Sequence, residues 1–399
     1  MTDADLLYDY AAEVLSFGFS GERAPGLPAA PAPEALERMA GRCLAAFERS
    51  GRERLVLLGL GSGGLAGALA KRLPPQRLAV CEQDLPLVRA LRAAGRLDWW
   101  RRGGGAPLAA DASAWAVLLL LDRAGIGPQD VLALPNPELA PAAKARLKPL
   151  ELLLTRSKPL PQASGVDTPR LSVAAILSPA EPDLPGFFAQ LPSWLHELVL
   201  VWDAPVLPDC SGLPLPEAFP VWQAARPLER DFAAQRNAML EACGGDWVFS
   251  LDADERLSPE DWAALPLLCA DHEAAAWHFP RVTPYPRPES ALTGFGLWPD
   301  IQLRLYRRQP GLRYVNPVHE RLTGIEGGQA LALDVEIEHL NRLGKTDEDI
   351  RRKLAGFDAA GGGGVRHALS SEYPRVPREL LSPPRRGLPR GLLLPPDIG

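Results

Sequence analysis

Residues Asp231–Glu255 read DFAAQRNAMLEACGGDWVFSLDADE, and this stretch decides how the chain is to be understood. Apolar Phe232, Met239 and Leu240 recur at helical spacing with Arg236 and Asn237 between them, and Gly244-Gly245 stops that helix. Trp247-Val248-Phe249-Ser250-Leu251 then reads as a buried strand that breaks off into Asp252-Ala253-Asp254-Glu255. Acids at the carboxyl edge of a buried strand lie where α/β proteins bind ligands. In extended chain, residues two apart point the same way. Asp252 and Asp254 are therefore expected to present carboxylates to one hard cation, Mg²⁺ or Mn²⁺, that bridges two phosphates, with Glu255 pointing elsewhere.

The chain has 399 residues, more than one ordinary core supports, so two domains are expected. Hydrophobic content of 46% and charged content of 23% are those of a soluble globular protein. A net charge of −6, with no Lys/Arg stripe interleaved with aromatics, argues against a nucleic-acid partner. Cys43, Cys81, Cys210, Cys243 and Cys269 show no CxxC spacing, which argues against a zinc knuckle or disulfide framework and for small buried apolar residues. The opening MTDADLLYDY lacks a basic lead and apolar run, and the longest apolar stretch, Ala114 to Leu121, is too short to span a bilayer. The expected location is cytoplasmic, with attachment to the inner face of a membrane left open.

Outward from the quoted block, two βαβ units appear. Arg54 to Leu58 reads as a strand, Gly59-Leu60-Gly61-Ser62-Gly63-Gly64 as a turn, Leu65 to Leu73 as a helix, and Leu78 to Cys81 as a second strand ending on Glu82. Gly59, Gly61 and Gly64 in the GxGxxG spacing, with Glu82 for ribose hydroxyls, suit a nucleotide, dinucleotide or S-adenosylmethionine site, or else mere helix-to-strand packing. Further on, Leu171 to Leu177 and Leu198 to Trp202, the latter ending on Asp203, flank a helical Leu184 to Leu195. The expected division is a Rossmann-like accessory domain over 1–150, a linker over 151–170, a second α/β domain over 171–358, and a Gly/Pro/Arg-rich disordered tail over 359–399. Downstream, Asp300 leads into Ile301-Gln302-Leu303-Arg304-Leu305-Tyr306-Arg307-Arg308, Val318-His319-Glu320 follows, and His339 ends an alternating run. Strand alternation puts Arg304 and Arg308 on one face and Arg307 on the other, so one set is expected to meet phosphate oxygens.

Helix, glycine break, strand and DADE together resemble the family-2 glycosyltransferases, in particular the lipopolysaccharide-core glucosyltransferase-like members, over residues 171 to about 345. The resemblance implies a nucleotide-diphospho-sugar transferase fold of GT-A type and hexosyl transfer in cell-envelope glycan synthesis. The donor would be a nucleotide sugar and the acceptor a glycan, lipid or protein. It further implies Asp252, Asp254 and His339 on the metal, Asp203, Arg236, Asn237, Asp252 and Arg304 on the donor, and Asp300 as catalytic base with Glu320 as its rival. The chain departs from the family at Ser178-Pro179 and Asp203-Ala204-Pro205, where polar loop residues are usual, which bears on nucleotide recognition. Glu82 to Asp98 and Val131 to Pro137 also resemble the Rossmann-type portion of the motility-accessory-factor family. Two other readings stand beside the transferase: an S-adenosylmethionine-dependent methyltransferase acting through the N-terminal glycines, and a degenerate glycosyltransferase serving as a non-catalytic scaffold. Against the former, Asn136-Pro137-Glu138 lacks the aromatic of the Asn-Pro-Pro-Tyr box of amino-methylating enzymes.

Overall fold

The computed structural model describes residues 3–18, 25–161, 167–317, 319–343, 348, 373–384, 387–396 and 398. The N-terminal half comprises α1 (Asp3–Ser16), α2 (Pro33–Ser50), β1 (Arg54–Leu58), α3 (Gly64–Ala70), β2 (Leu78–Glu82), α4 (Leu85–Ala93), β3 (Leu108–Ala110), α5 (Ala114–Arg123), β4 (Val131–Pro135) and α6 (Pro141–Arg156). Its strands run parallel in the order β3–β2–β1–β4. That is a doubly wound order, with its switch point between β1 and β4. Because helices cover the sheet, Leu55 to Leu58 and Leu78 to Cys81 are apolar without a break and fully buried.

The second half begins with β5 (Lys158–Pro159), β6 (Leu171–Leu177), α7 (Leu184–Ala189), β7 (Glu197–Trp202), β8 (Val221–Ala225), α8 (Phe232–Ala242), β9 (Trp247–Ser250) and β10 (Glu255–Arg256). It continues through α9 (Pro259–Cys269), β11 (Ala274–Val282), β12 (Ser290–Leu292), β13 (Asp300–Arg307), β14 (Arg313–Val315) and β15 (Arg321–Thr323). β16 (Gly328–Ala332), β17 (Ile337–His339), β18 (Arg375–Pro377) and β19 (Gly391–Leu393) follow. The large mixed sheet runs β5–β19–β16–β11–β13–β9–β6–β7–β8, with β17 joined to both β10 and β11. Within it β9, β6, β7 and β8 are parallel, and β13 is antiparallel to β9 and β11. The parallel part repeats the topology of the first sheet, so a second switch point lies between β6 and β9. The α/β class expected from the sequence, with a Rossmann-like sheet preceding a larger α/β sheet, is the architecture observed.

Local chemistry explains the quoted block. Asp231 caps α8 by accepting the Ala234 N–H at 2.9 Å. Gly245 follows because β6 passes against it: a Cβ there would stand 2.6 Å from both the Arg170 carbonyl oxygen and Ser172 Oγ. β9 then enters the sheet with Val248 and Phe249 fully buried.

Two expected segments differ. The 151–170 stretch is no free linker, since Leu150, Leu153 and Leu154 are buried and carry α6 to Arg156, and β5 pairs with β19; residues 162–166 lie outside those described. In the expected tail, 359–372 lie outside the described residues, but β18 pairs with β12 and β19 with β16. Composition misses this order because it depends on partners elsewhere in the chain. Arg378 meets Glu336 at 3.1 Å and Glu338 at 2.5 Å, while Arg390 meets Asp122 at 2.8 Å and Asp334 at 2.6 Å. Leu381 and Leu392 belong to the same apolar cluster as Tyr10, Leu119, Trp298 and Leu331, so the two halves share a core.

Candidate active site

Asp252 follows β9 at the second switch point, where the carboxyl edges of parallel strands diverge and leave room for a ligand. Here the chain turns: the Glu255 N–H donates to the Asp252 carbonyl at 3.0 Å. The alternation rule stops with the strand, and this corrects the expectation that Glu255 points away. Glu255 is wholly buried; its Oε1 accepts from Arg281 Nη1 at 2.8 Å and Arg304 Nη2 at 2.5 Å, and its Oε2 accepts the Asp252 N–H at 3.0 Å.

Three arginines gather on these acids. Arg236 Nη2 donates to Asp252 Oδ1 at 3.0 Å, its Nη1 to Ser250 Oγ at 2.9 Å and its Nε to Glu320 Oε1 at 2.6 Å. Arg304 Nη2 donates to Asp252 Oδ2, and Arg281 Nη1 lies 3.9 Å from that oxygen. Burial would push the Asp252 carboxyl up, but Arg304, Arg236 and Arg281 outweigh it and hold it well below the usual carboxylate range. Arg281 also holds Asp300 through Nε at 3.0 Å and through Nη2, and Gln302 donates to the other Asp300 oxygen at 2.7 Å. Burial raises the Asp300 pKa, but Arg281 together with Gln302 and His339 outweighs it and leaves it below the ordinary value. Asp300 and Asp252 keep 36% and 31% of their side chains exposed, whereas Glu255 keeps none, so the first two can meet a ligand directly and Glu255 acts through its arginines.

β10 lies beside β17 with Glu255 opposite His339, and this brings His339 Nε2 to 3.6 Å from Asp254 Oδ1. Among the described residues no group of three or more His, Cys, Asp or Glu side chains is disposed to hold a metal unaided. Asp254 and His339, one carboxylate and one imidazole at that spacing, would together offer two donors to a divalent cation such as Mn²⁺. Asp252, by contrast, has both oxygens engaged by arginine.

Other expected donor residues have different surroundings. The Asn237 amide is spent on backbone: Nδ2 donates to the Tyr314 carbonyl at 2.9 Å and Oδ1 accepts the Tyr314 N–H at 2.8 Å, tying α8 to β14. Asp203 accepts the Leu228 N–H at 2.7 Å and so fixes the chain leaving β8. Arg308 reaches the Gly245 carbonyl at 2.7 Å and Arg307 stacks over Trp247 at 4.8 Å, so neither belongs to the cluster. His319 is exposed. Sequence reasoning missed Arg281; its signal is a single arginine near the end of the mostly apolar strand AAAWHFPRV.

At the first switch point two acids of the chain bond the glycine turn. Glu82 is buried, and its carboxylate accepts the N–H groups of Leu60 at 2.8 Å, Gln83 at 2.8 Å and Asp84 at 2.9 Å. Burial pushes its pKa up, against those backbone bonds. Glu138 accepts from Ser62 N–H at 3.0 Å and Leu65 N–H at 3.3 Å, where a ligand phosphate would sit in a nucleotide site. A Cβ on Gly59 would stand 2.6 Å from Leu139, and one on Gly61 2.8 Å from Glu138 Cβ. Gly59 and Gly61 thus sit where neighbouring side chains approach closely, and Glu82 braces the turn through its backbone bonds. No helix of the described residues is long and apolar enough to cross a membrane.

No family model matches the chain. It is 36% identical over 132 residues, 31% of its length, to the lipopolysaccharide core biosynthesis glycosyltransferase LpsC of Rhizobium meliloti, of which that match covers 45%. It is 37% identical over 91 residues, 23% of its length, to a TPR repeat-containing protein of Synechococcus elongatus, covering 20% of that protein. The chain thus spans less than half the length of these curated relatives. Among solved structures, GalNAc-T7 with UDP, GalNAc and Mn²⁺ aligns over 44% of each chain at 12% identity and a TM-score of 0.31. The mannosyltransferase PcManGT of Pyrobaculum calidifontis, in complex with GDP-Man and Mn²⁺, aligns over 29% of this chain and 38% of its own at 22% identity and a TM-score of 0.23. Similarity to a glycosyltransferase therefore extends over about a third of the sequence.

Proposed function

We propose that the chain is a metal-dependent glycosyltransferase of the family-2, GT-A kind, moving a hexosyl group from a nucleotide sugar to a glycan, lipid-linked or protein acceptor in cell-envelope glycan synthesis. The observation that carries this reading is the meeting of Asp254 and His339 at 3.6 Å beside the Asp252 arginine cluster, at a doubly wound switch point. The similarity to LpsC supports it.

A Mg²⁺ or Mn²⁺ ion held by Asp254 and His339 supplies, when bound, positive charge against the departing diphosphate. Asp252 fixes the guanidiniums of Arg236 and Arg304 at the edge of the crevice, where their positive charge suits phosphate oxygens. Asp300 takes the proton of the attacking acceptor hydroxyl. Its pairing with Arg281 keeps it ionised and oriented, as the direction of its pKa shift requires. Glu320, bound to Arg236, is the rival base.

Calorimetric titration of UDP and GDP, with and without Mn²⁺, into the parent and Asp254→Asn tests the assignment. Binding that needs Mn²⁺ in the parent and disappears in the variant is expected. Equal binding by both proteins refutes the metal site. Binding of S-adenosylmethionine in a parallel titration, with no nucleotide bound, returns the methyltransferase reading.

A further inference from the structure

The segment that delivers Asp300 to the site is held by the other half of the molecule. Between β12 and β13 the chain reads Thr293-Gly294-Phe295-Gly296-Leu297-Trp298-Pro299, with Gly294 at φ 71°, Phe295 at φ 51° and Gly296 at φ 81°. Phe295 has no local reason to adopt a left-handed conformation, and such strain persists only where the surroundings impose it. α1 provides those surroundings. The Phe17 ring, just past its end, packs edge-on against Phe295 at 5.2 Å between ring centres. Gly294 is held close enough to Val14 that a Cβ there would stand 3.2 Å from its methyl carbon. Tyr10 grips both ends: Thr293 Oγ1 donates to its hydroxyl at 2.8 Å, and wholly buried Trp298 packs on its ring at 5.9 Å. The Tyr10 hydroxyl in turn donates to Asp111 Oδ2 at 2.7 Å, and Asp111 Oδ1 is held by the Ser113 N–H at 2.7 Å at the carboxyl edge of the N-terminal sheet. Asp111 and Tyr10 are both fully excluded from solvent.

We infer that Asp111, Tyr10 and Thr293 are positioning residues for Asp300, and that the N-terminal Rossmann-like half serves the transferase site as its scaffold. The inference rests on the reading of Asp300 as the base. Two bonds lead from the Asp111 carboxylate to Thr293, and the ring of the same tyrosine fixes Trp298, two residues ahead of Asp300. Loss of the Tyr10 hydroxyl releases Thr293 and leaves the buried Asp111 carboxyl with one fewer hydrogen-bond partner, while the ring still fills its place in the core.

The full-length chain is tested in two ways. Hydrogen–deuterium exchange of peptides covering 293–302 is followed in Tyr10→Phe, Thr293→Val and Thr293→Ser. Faster exchange there in the first two variants, with peptides of β6 and β9 unchanged and Thr293→Ser close to the parent, is expected. Unchanged exchange in 293–302, or equal acceleration throughout the chain, overturns the inference. Turnover is then measured by hydrolysis of UDP-glucose, UDP-galactose and GDP-mannose. Because displacement of a reacting group by about 1 Å costs up to ~10²-fold, a fall of about tenfold in kcat at unchanged donor KM is expected for Tyr10→Phe. If Asp300→Asn is impaired and Tyr10→Phe is not, positioning is refuted; if Asp300→Asn itself turns over like the parent, it is the base assignment that fails, and the inference with it, whatever the exchange shows.

Discussion

Glu255→Gln is the substitution on which the electrostatic account of the site is most exposed. The parent carboxylate is fully buried, with two guanidinium donors on Oε1 at 2.8 and 2.5 Å and the Asp252 N–H on Oε2 at 3.0 Å. Glutamine keeps the shape but replaces one acceptor oxygen with an NH₂ group, which must then face either the guanidiniums or the Asp252 N–H, a donor against a donor. A hydrogen bond to a charged group contributes about 1.5–3 kcal/mol, and an uncompensated buried guanidinium costs more. Arg281 retains Asp300 and Arg304 retains Asp252, which limits the damage. The expected loss is therefore about 2–4 kcal/mol. For a chain of this size it corresponds to a fall in Tm of roughly 2–5 °C. Scanning calorimetry at neutral pH measures it, together with Arg281→Gln and the double variant. Because the two groups touch, the double variant should lose less than the sum of the singles by about 0.5–3 kcal/mol. A Tm within about 1 °C of the parent for Glu255→Gln, or strict additivity in the cycle, refutes the reasoning.

Asp300→Asn should lower kcat by ~10²–10⁴-fold with little change in donor affinity, and Glu320→Gln should do less; the reverse ranking at constant donor affinity moves the base to Glu320. Asp111 gives a pH signature: burial pushes its carboxyl up to about 7, above the unfolded value, so its contribution to stability is complete below about pH 4 and is lost as pH rises through 7. Denaturant unfolding of Asp111→Asn should accordingly flatten the decline expected of the parent between about pH 4 and 7, which amounts to at most ~4 kcal/mol. Parallel pH profiles for the two proteins refute the buried, uncharged Asp111.

The helix, glycine break and strand of 231–251 were legible because each is dictated locally, by spacing, by close approach and by apolar continuity. Arg236 and Asp252 were named on the donor only through the resemblance; no local rule pairs them, and they meet because α8 packs on β6 and β7. Beyond Leu251 the same logic misled, since a period of two holds only in extended chain and the turn at 252–255 folds residue i+3 back onto residue i. Asn237 was placed on the donor by resemblance, yet its amide has a donor and an acceptor that match a single residue's backbone, and Tyr314 presents one. The ordering of 373–384 and 387–396 was hidden because Arg378 and Arg390 find their carboxylates on α5 and near β16 and β17, at least 40 residues away in every case.

The molecule carries the same strand order twice and treats the two crevices oppositely. In the first, the acids Glu82 and Glu138 take up the N–H groups of the glycine turn, so the positive end that would receive a phosphate is already neutralised by the chain itself. In the second, the acids take up arginines instead, each guanidinium being shared between two carboxylates. Every carboxylate oxygen of Glu82 and Glu138 is engaged by backbone N–H groups, whereas both oxygens of Asp252 and Oε1 of Glu255 meet guanidiniums. Topology makes both edges candidates for binding; which of them retains capacity for an anion is decided by whether the buried carboxylates at its rim are satisfied by backbone or by guanidiniums.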